Sequence, residues 1–489
     1  MNLELTFGND PIHKPSIHAF LEATLRQFDF QSVARQRLSA FLESAVDEAI
    51  SSAYQDGESG VIKISFLEEH GKLEIRIRDF GIPKDVDSME RSIQQSLQTQ
   101  NGQTNYLDAD VVDEVHWLNF GPNGKSLQLV KWLHETHIEA GSDAKPISSS
   151  NPQVPLALEQ HYAVRRMKAD EAEQVSQLMY LIYGNTYFNE DVYYPERVAA
   201  ENSRGTVASY VAVNQKDQVV GHYALVRESE GPVAEAGQAV VAPAHRGRGL
   251  LGQMKELALS DASHSDLMGW YADAVTVHTH TQKSNLAYGG KLTAVNLAIA
   301  PKKEHFDSNQ EQTQRITCLM YFHWLQSVQP SRLYPPAQHL EVLEEIYQRL
   351  ACSPEFLGGN HPTGMGSLEV KITNGAARAN IYCKTLGKNS LHQIRQVRRR
   401  LVEQTGIAVV FLDLPLTDPA CPHLVSELES EGFGFLGVAP SFSNQGDLLR
   451  LAYLVEPLTR EAIKTVDETA GRLVDYAIAE QKRVSGLIA

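Results

Sequence analysis

The chain has little cysteine. Its four residues, Cys318, Cys352, Cys383 and Cys421, are widely separated and form no CxxC pair, which excludes a zinc knuckle and a dense disulfide framework and leaves reduced, mostly buried thiols as the expectation. No apolar run reaches the roughly 18 residues that a membrane-spanning helix needs. The first residues, Met-Asn-Leu-Glu-Leu-Thr-Phe, lack the basic and apolar regions of a secretory signal, so a cytoplasmic protein without a membrane partner is expected. Positive charge is also scarce: 44 Lys and Arg stand against 60 Asp and Glu, a net −16. That field repels phosphate polymers and argues against nucleic acid as a partner. The one dense basic cluster, Arg395 to Arg400 (RQVRRR), reads as a solvated helix face.

At 489 residues, with 42% hydrophobic and 21% charged residues, the chain has ordinary globular composition and length for about three units. We place them at 1–140, 161–305 and 306–489. The stretch GSDAKPISSSNPQVP within 141–160, rich in Ser, Pro, Gly and Asn and without periodicity, reads as a linker. In the first unit a strand (Leu3–Phe7) and a helix (Ser16–Phe28) precede a second helix, Ser32–Tyr54. That helix carries an apolar stripe of Leu38, Phe41, Leu42, Ala45, Ala49 and Ala53. Alternation over Val61–Leu67 and Leu73–Arg78 across Glu69-His70-Gly71-Lys72 predicts a hairpin with one buried face.

The second unit opens with a strand (Tyr162–Arg166), a helix (Ala169–Ile182) and strands at Ser209–Val213 and Gln218–Arg227. Then Glu235–Val241, a strand, runs into Ala242-Pro243-Ala244-His245-Arg246-Gly247-Arg248-Gly249 and a helix from Leu250 to Leu259. Alternate glycines let backbone approach a ligand and turn amide N–H groups outward, and a helix start adds partial positive charge suited to pyrophosphate. Arg246 and Arg248 add full charges.

This stretch resembles the pyrophosphate loop of the GNAT acetyltransferase superfamily, Gln or Arg, two residues, Gly, one residue, then Gly or Ala. Gly247 and Gly249 fit; the first position holds Ala244. The order of strands and helices around the loop is also similar. The resemblance implies an acetyl-CoA site at Val241, Arg246, Gly247, Arg248, Gly249 and Leu250. It further implies a second strand (Tyr271–Thr279) parting to admit the pantetheine arm, and a contact from Asn285, which otherwise reads as a helix cap. The family's mechanism, direct attack of an amine on the thioester, needs a base and a donor. Glu235 is the candidate base and Tyr288 the candidate acid, against readings as a strand-end carboxylate and a core aromatic. His278 and His280, taken as alternate strand residues, point to opposite faces, so no metal is expected.

The first unit resembles the GHKL ATPase domains of anti-sigma factor serine kinases and histidine kinases. Glu48 lies on a helix where the family has Glu, with Ser52 in place of the metal-holding Asn four residues on. Arg78-Asp79-Phe80-Gly81-Ile82-Pro83 is similar to the Asp-x-Gly-x-Gly box with its last Gly replaced. Gly121-Pro122-Asn123-Gly124-Lys125-Ser126-Leu127, leading into a helix, is similar to the second glycine box. The resemblance implies nucleotide contacts at Glu48, Asp79, Gly81 and Gly124, with ATP a possible second ligand. Gly124-Lys125-Ser126 also imitates the end of a P-loop, but that pattern requires Gly at the position of Asn119.

The last unit reads strand (Ile407–Asp413), helix (Pro422–Glu431) ending near Gly432-Phe433, then strands through Phe435–Ala439 and Leu448–Leu454, with a helical tail at Leu458–Val484. It resembles the second half of a GNAT domain without the arginine-glycine turn. Asp413, Asp418 and His423 are weaker site candidates, the two aspartates reading more simply as turn residues. The expected fold is therefore α/β (α+β): a GHKL-type sandwich, a GNAT fold and a degenerate GNAT-like lobe. The expected function is acetyl-CoA-dependent N-acetyl transfer to a small-molecule or protein amine. The alternative is a noncatalytic sensor of acyl-CoA or nucleotide that binds a protein partner through the first unit.

Overall fold

The computed structural model describes residues 2–28, 30, 32–69, 72–86, 89, 112–132, 161–229, 231–302 and 313–488. The linker reading at 141–160 and the turn residues His70 and Gly71 fall outside them.

Alternation in the first segment produces an antiparallel sheet of β1 (Asn2–Gly8), β2 (Val61–Glu69), β3 (Lys72–Asp79), β4 (Glu114–Asn119) and β5 (Lys125–Trp132), ordered β1-β2-β3-β5-β4. Ile62, Ile64 and Phe66 turn inward at every second residue, as a half-buried strand requires. Helices α1 (Lys14–Leu25) and α2 (Ser32–Ser52) cover that face. The α2 stripe lies slightly round from the expected one: Val46 and Ile50 join Leu38 and Leu42 as its buried residues, while Phe41, Ala45 and Ala49 sit at the margin. One expectation fails here. The residues after Gly124 form β5, not a helix, because Leu127 and Leu129 alternate into the core and pair with β3.

The second segment contains β6 (Ala163–Arg166), α3 (Ala172–Tyr183), α4 (Pro195–Arg204), β7 (Val207–Val213), β8 (Val219–Val226), β9 (Val233–Val241), α5 (Leu250–Ser263), β10 (Gly269–Val275), α6 (His280–Ala287), β11 (Lys291–Ala300) and β12 (Ile316–Trp324). Their order is β6-β7-β8-β9-β10-β12-β11, antiparallel except for the β9–β10 pair. The boundary expected near 305 cuts this arrangement, since β12 inserts between β10 and β11; by pairing, the central unit runs through Trp324.

The remainder holds the short pair β13 (Arg332–Leu333) and β14 (Glu355–Phe356), α7 (Leu340–Arg349), β15 (Ser367–Thr373), β16 (Arg378–Thr385), α8 (Ser390–Thr405), β17 (Val409–Pro415), α9 (Cys421–Glu429), β18 (Gly434–Ser443), β19 (Gly446–Leu454) and α10 (Glu468–Ile488). Strands β15-β16-β17-β19-β18 continue the central sheet through a β18–β11 contact at Gly437 and Ala294, giving twelve strands in one sheet. Gly437 is required there: at φ 139°, a Cβ would sit 2.2 Å from the Thr293 carbonyl oxygen.

The first unit docks on the central one. The Tyr180 hydroxyl donates to Glu58 (2.7 Å), Asn185 donates to the Phe80 carbonyl (2.9 Å), and Ile82 joins the cluster of Val175, Met179 and Tyr193. No helix of the described residues is long and apolar enough to cross a membrane.

Candidate functional site

Two parallel strands part at the centre of the sheet. β9 and β10 are in register only at Val233–Gly269, Ala234–Trp270 and Glu235–Tyr271; beyond these, each strand continues, to Val241 and Val275, without a partner on the facing edge. The cause lies on the other edge of β9. Between His222–Val240 and Ala224–Gly237 the β8–β9 register shifts, and Gln238 takes φ 51°, a bulge that bends the strand away from its neighbour. Buried His222 fixes that bulge. Its Nδ1 donates to the Gln238 carbonyl (3.0 Å) and its Nε2 lies 3.0 Å from the Ser209 hydroxyl. Burial lowers its pKa to about 4, so the imidazole is neutral at pH 7. A cavity of about 1070 Å³ opens along the parted strands.

The glycine turn closes one end of this cavity. Val241 ends β9, and its carbonyl accepts from Arg246 Nε (3.1 Å). Gly247 and Gly249 have φ 75° and 73°, and Leu250, buried, begins α5. A Cβ built on Gly247 meets no protein atom within 4 Å, so its left-handed backbone faces open space and not packed protein. Arg246 and Arg248 are exposed on the turn.

Below the turn, Lys255 and Asn285 meet. The buried Lys255 Nζ donates to Asn285 Oδ1 (2.7 Å) and lies over the rings of Trp270 (5.2 Å) and Tyr288 (4.6 Å). Burial lowers the ammonium to about 8. Asn285 sits inside α6 and lines the cavity, so it is not a helix cap. Tyr288 follows α6 and is not among the residues lining the cavity; its single hydroxyl proton is shared between Glu256 (3.2 Å) and the Gly252 carbonyl (3.4 Å). The general-acid expectation for Tyr288 is not matched by that placement. Lys255, unsignalled in the sequence because a lysine in a helix reads as solvated, occupies the interior instead.

At the fork itself stand Glu235 and, two residues past its register partner, Asp273. The Glu235 carboxylate lies against Gly237, where a Cβ would meet its Oε1 at 3.1 Å, and it has no hydrogen bond or ion pair among the described residues. Burial, then the carboxylates of Glu228 and Asp273, push its carboxyl well above the usual range, with Arg378 and Lys371 opposing. Asp273 accepts from Asn296 (2.7 Å) and is likewise raised, chiefly by burial.

The opposite wall comes from the C-terminal lobe. Along β16, Ala379, Ile381 and Cys383 are buried in the core while Arg378, Asn380 and Tyr382 alternate onto the other face and line the cavity. Arg450 closes the network: it pairs with Asp413 through two bonds of 2.8 Å and donates to Asn296 (3.1 Å), which holds Asp273. Asp413 is thus the buried counter-ion of Arg450, whereas Asp418 caps the turn before α9 through the Ala420 amide (2.9 Å). His423 contacts His361 (3.2 Å).

Two other expectations change. Residues 276–279 are not strand, so His278 and His280 are neighbours with ring centroids 5.0 Å apart. Elsewhere, buried His339, Glu429 and Glu480 bring ligand-type atoms within 4.8 Å of one another, but Arg483 already neutralises both carboxylates. In the first unit the nucleotide residues do not form an open site. Lys125 Nζ occupies Asp79 (2.5 Å) and also donates to the Ile82 carbonyl. Gly81 and Gly124 serve backbone packing: a Cβ on each would strike the Ala53 and Asp79 carbonyl oxygens at 1.8 and 2.1 Å. Glu48 is exposed and faces Lys84.

No protein-family model and no curated protein matches the chain. Among solved structures it is similar to an N-acetyltransferase from Staphylococcus aureus Mu50 (14% identity, TM-score 0.29, 34% of this chain and 99% of that one). It is also similar to a ribosomal-protein-S5-alanine acetyltransferase from Vibrio fischeri (12%, 0.28, 36% and 100%) and to a spermidine/spermine N-acetyltransferase from Vibrio cholerae (13%, 0.27, 34% and 95%).

Proposed function

We propose that this protein is an acyl-CoA-dependent N-acyltransferase of the GNAT type, with acetyl-CoA as donor. The observation that carries the reading is the fork between β9 and β10, with an unpaired carboxylate, Glu235, at its base and an open glycine turn, Gly247 to Gly249, at its mouth. The turn amides, the start of α5 and Arg246 and Arg248 suit a pyrophosphate. The unpaired β9 edge offers backbone N–H groups to an extended arm and to a carbonyl oxygen that gains charge. Bound acetyl-CoA supplies the acetyl thioester. Glu235, supported by Asp273, removes the proton of the acceptor ammonium, a task to which its raised carboxyl is matched. Lys255 brings positive charge to the side from which a thiolate leaves. The first unit has no nucleotide role in this reading, because Asp79 is engaged by Lys125.

Calorimetric titration with acetyl-CoA tests it. Wild-type protein is expected to bind in the micromolar range. Gly247→Ala is expected to lose binding while unfolding at nearly the same midpoint, since the new methyl meets no protein atom and only its left-handed backbone, about 1–2 kcal/mol, opposes it. Absence of binding by the wild type refutes the reading. Full binding with no turnover on any amine favours the sensor instead.

A further inference from the structure

The cavity is not uniformly acidic, and the sign of its charge changes from one lobe to the other. Glu235 and Asp273 come from β9 and β10 of the central unit, with Glu228 close enough to raise both carboxyls. Facing them, β15 and β16 present cations on one face: Thr373 lies opposite Arg378, and Lys371 opposite Asn380, and directly opposed residues of an antiparallel pair point the same way.

Three of the seven guanidinium groups lining this cavity have carboxylate partners: Arg197 is bound to Asp191, Arg227 to Asp266 and Arg450 to Asp413. Of the other four, Arg204 ends α4, Arg246 and Arg248 belong to the glycine turn, and Arg378 faces the fork. Arg378 and Lys371 are in no ion pair among the described residues. The nearest hydrogen-bond acceptor of Arg378 is the Thr373 hydroxyl at 3.5 Å; its buried Nε has no partner, and its Cζ lies over the Phe188 ring at 5.7 Å. A guanidinium with donors to spare suits a carboxylate. Glu235, which lines the same cavity, has no hydrogen bond or ion pair among the described residues.

We propose that the acceptor is a small zwitterion, an amine that also carries a carboxylate, held with its ammonium at Glu235 and Asp273 and its carboxylate at Arg378. The proposal rests on the acyltransferase reading and deepens it. The central lobe chooses the amine and the C-terminal lobe chooses the acid, so an amine lacking the carboxylate leaves Arg378 uncompensated and is rejected. In the reaction one ammonium proton passes to Glu235, the freed amine nitrogen forms a bond to the acetyl carbon, the carbon–sulfur bond breaks, and the second proton lost from the nitrogen ends on the departing thiolate, leaving the amide and free CoA thiol. The acceptor carboxylate is unchanged.

The test measures CoA thiol release with acetyl-CoA and a panel of α-amino acids, each beside its methyl ester and its decarboxylated amine, on wild-type protein, Arg378→Met and Arg378→Lys. The expected result is at least one amino acid used about 10-fold or more better than its ester and amine. In Arg378→Met its KM should rise about 10- to 100-fold, with the ester unaffected and partial recovery in Arg378→Lys. Unchanged affinity for acetyl-CoA shows that the variants are folded. Esters or polyamines used as well as, or better than, free amino acids overturn the proposal while leaving the acyltransferase standing. Equal losses for acid and ester in Arg378→Met overturn it too. Failure of wild type to bind acetyl-CoA overturns the acyltransferase reading and the proposal with it.

Discussion

Acid should release the β9 bulge through a single imidazole. His222 is 1% exposed and fully engaged: Nδ1–H donates to the Gln238 carbonyl, which can only accept, so Nε2 carries the lone pair that takes the Ser209 hydroxyl. A second proton on the ring puts a charge in a fully buried site and forces the Ser209 hydroxyl to turn from donor to acceptor, and the burial is what opposes it. The unfolded chain takes that proton at about 6.5 and the folded protein only at about 4. The contribution to stability is therefore complete above pH 6.5 and is lost as pH falls toward 4. At about 1.4 kcal/mol per unit the full loss is about 3 kcal/mol, with about 2 kcal/mol gone by pH 5. Urea unfolding followed by near-ultraviolet circular dichroism, run near pH 7.5 and pH 5 on wild type and His222→Gln, isolates this group from every other titration. A glutamine can donate to Gln238 and accept from Ser209 without taking a proton. Wild type is expected to lose about 2 kcal/mol more than the variant over that interval, and its affinity for acetyl-CoA should fall in step, because the bulge holds the fork open. Parallel losses in the two proteins would refute the linkage.

Glu235→Gln should lower kcat by about 10²- to 10⁴-fold with the acetyl-CoA dissociation constant unchanged by calorimetry. Because burial raises the Glu235 carboxyl, its base form accumulates only as pH rises through that raised value, so the acid limb of kcat/KM should lie above the ordinary carboxylate range and vanish in the variant. Arg450→Met leaves Asp413 a buried charge without its partner and should cost about 3–5 kcal/mol in chemical denaturation, most of it regained by a second change, Asp413→Leu. Lys255→Met should do the reverse. Burial penalises this ammonium, holding it at about 8 against 10.5 in the unfolded chain, so its removal should stabilise the protein by up to about 3 kcal/mol below pH 8, the gain fading as pH approaches 10.5. The same change should slow acyl transfer.

The central unit was legible because its signals are local. A strand, two glycines at φ 75° and 73° and a helix follow one another in sequence, and each is set by backbone constraints that neighbouring residues cannot override. The hairpin of β2 and β3 was readable for the same reason. What escaped was set by distant residues. Pro, Asn and Gly at 122–124 suggested a phosphate turn entering a helix, yet Leu127 and Leu129 were claimed by β3, forty or more residues earlier, and Lys125 by Asp79. The strand from Ile316 to Trp324 looked like the start of a new unit because nothing in its own composition says that it inserts between two earlier strands. Tyr288 and Lys255 exchanged expected places: the aromatic turned toward Glu256 and the charged side chain went inside. A sequence pattern prices a lysine by its charge and cannot see Asn285 and two rings waiting for it.

Strands β15-β16-β17-β19-β18 repeat the order and pairing of β8-β9-β10-β12-β11 but stay closed where β9 and β10 part, and that suits them to be a wall. β16 and β17 are parallel, as β9 and β10 are, but remain in register over five pairs, from Arg378–Val409 to Tyr382–Asp413. They do not part. The turn that follows β16 is filled as well: a Cβ on Gly387 would meet the Gly366 nitrogen at 2.1 Å, where Gly247 meets nothing. A closed, fully hydrogen-bonded sheet face is rigid, and rigidity fixes Arg378, Asn380 and Tyr382 in a row across from Glu235. The two faces are held together near the fork, where the Phe442 ring packs 4.5 Å from that of Tyr271 and the Gly231 amide donates to the Phe442 carbonyl. Residues more than 100 positions apart in the chain therefore form one site. In the proposed reading Glu235 comes from one lobe and Arg378 from the other, so selectivity for a zwitterion would be a property of their junction.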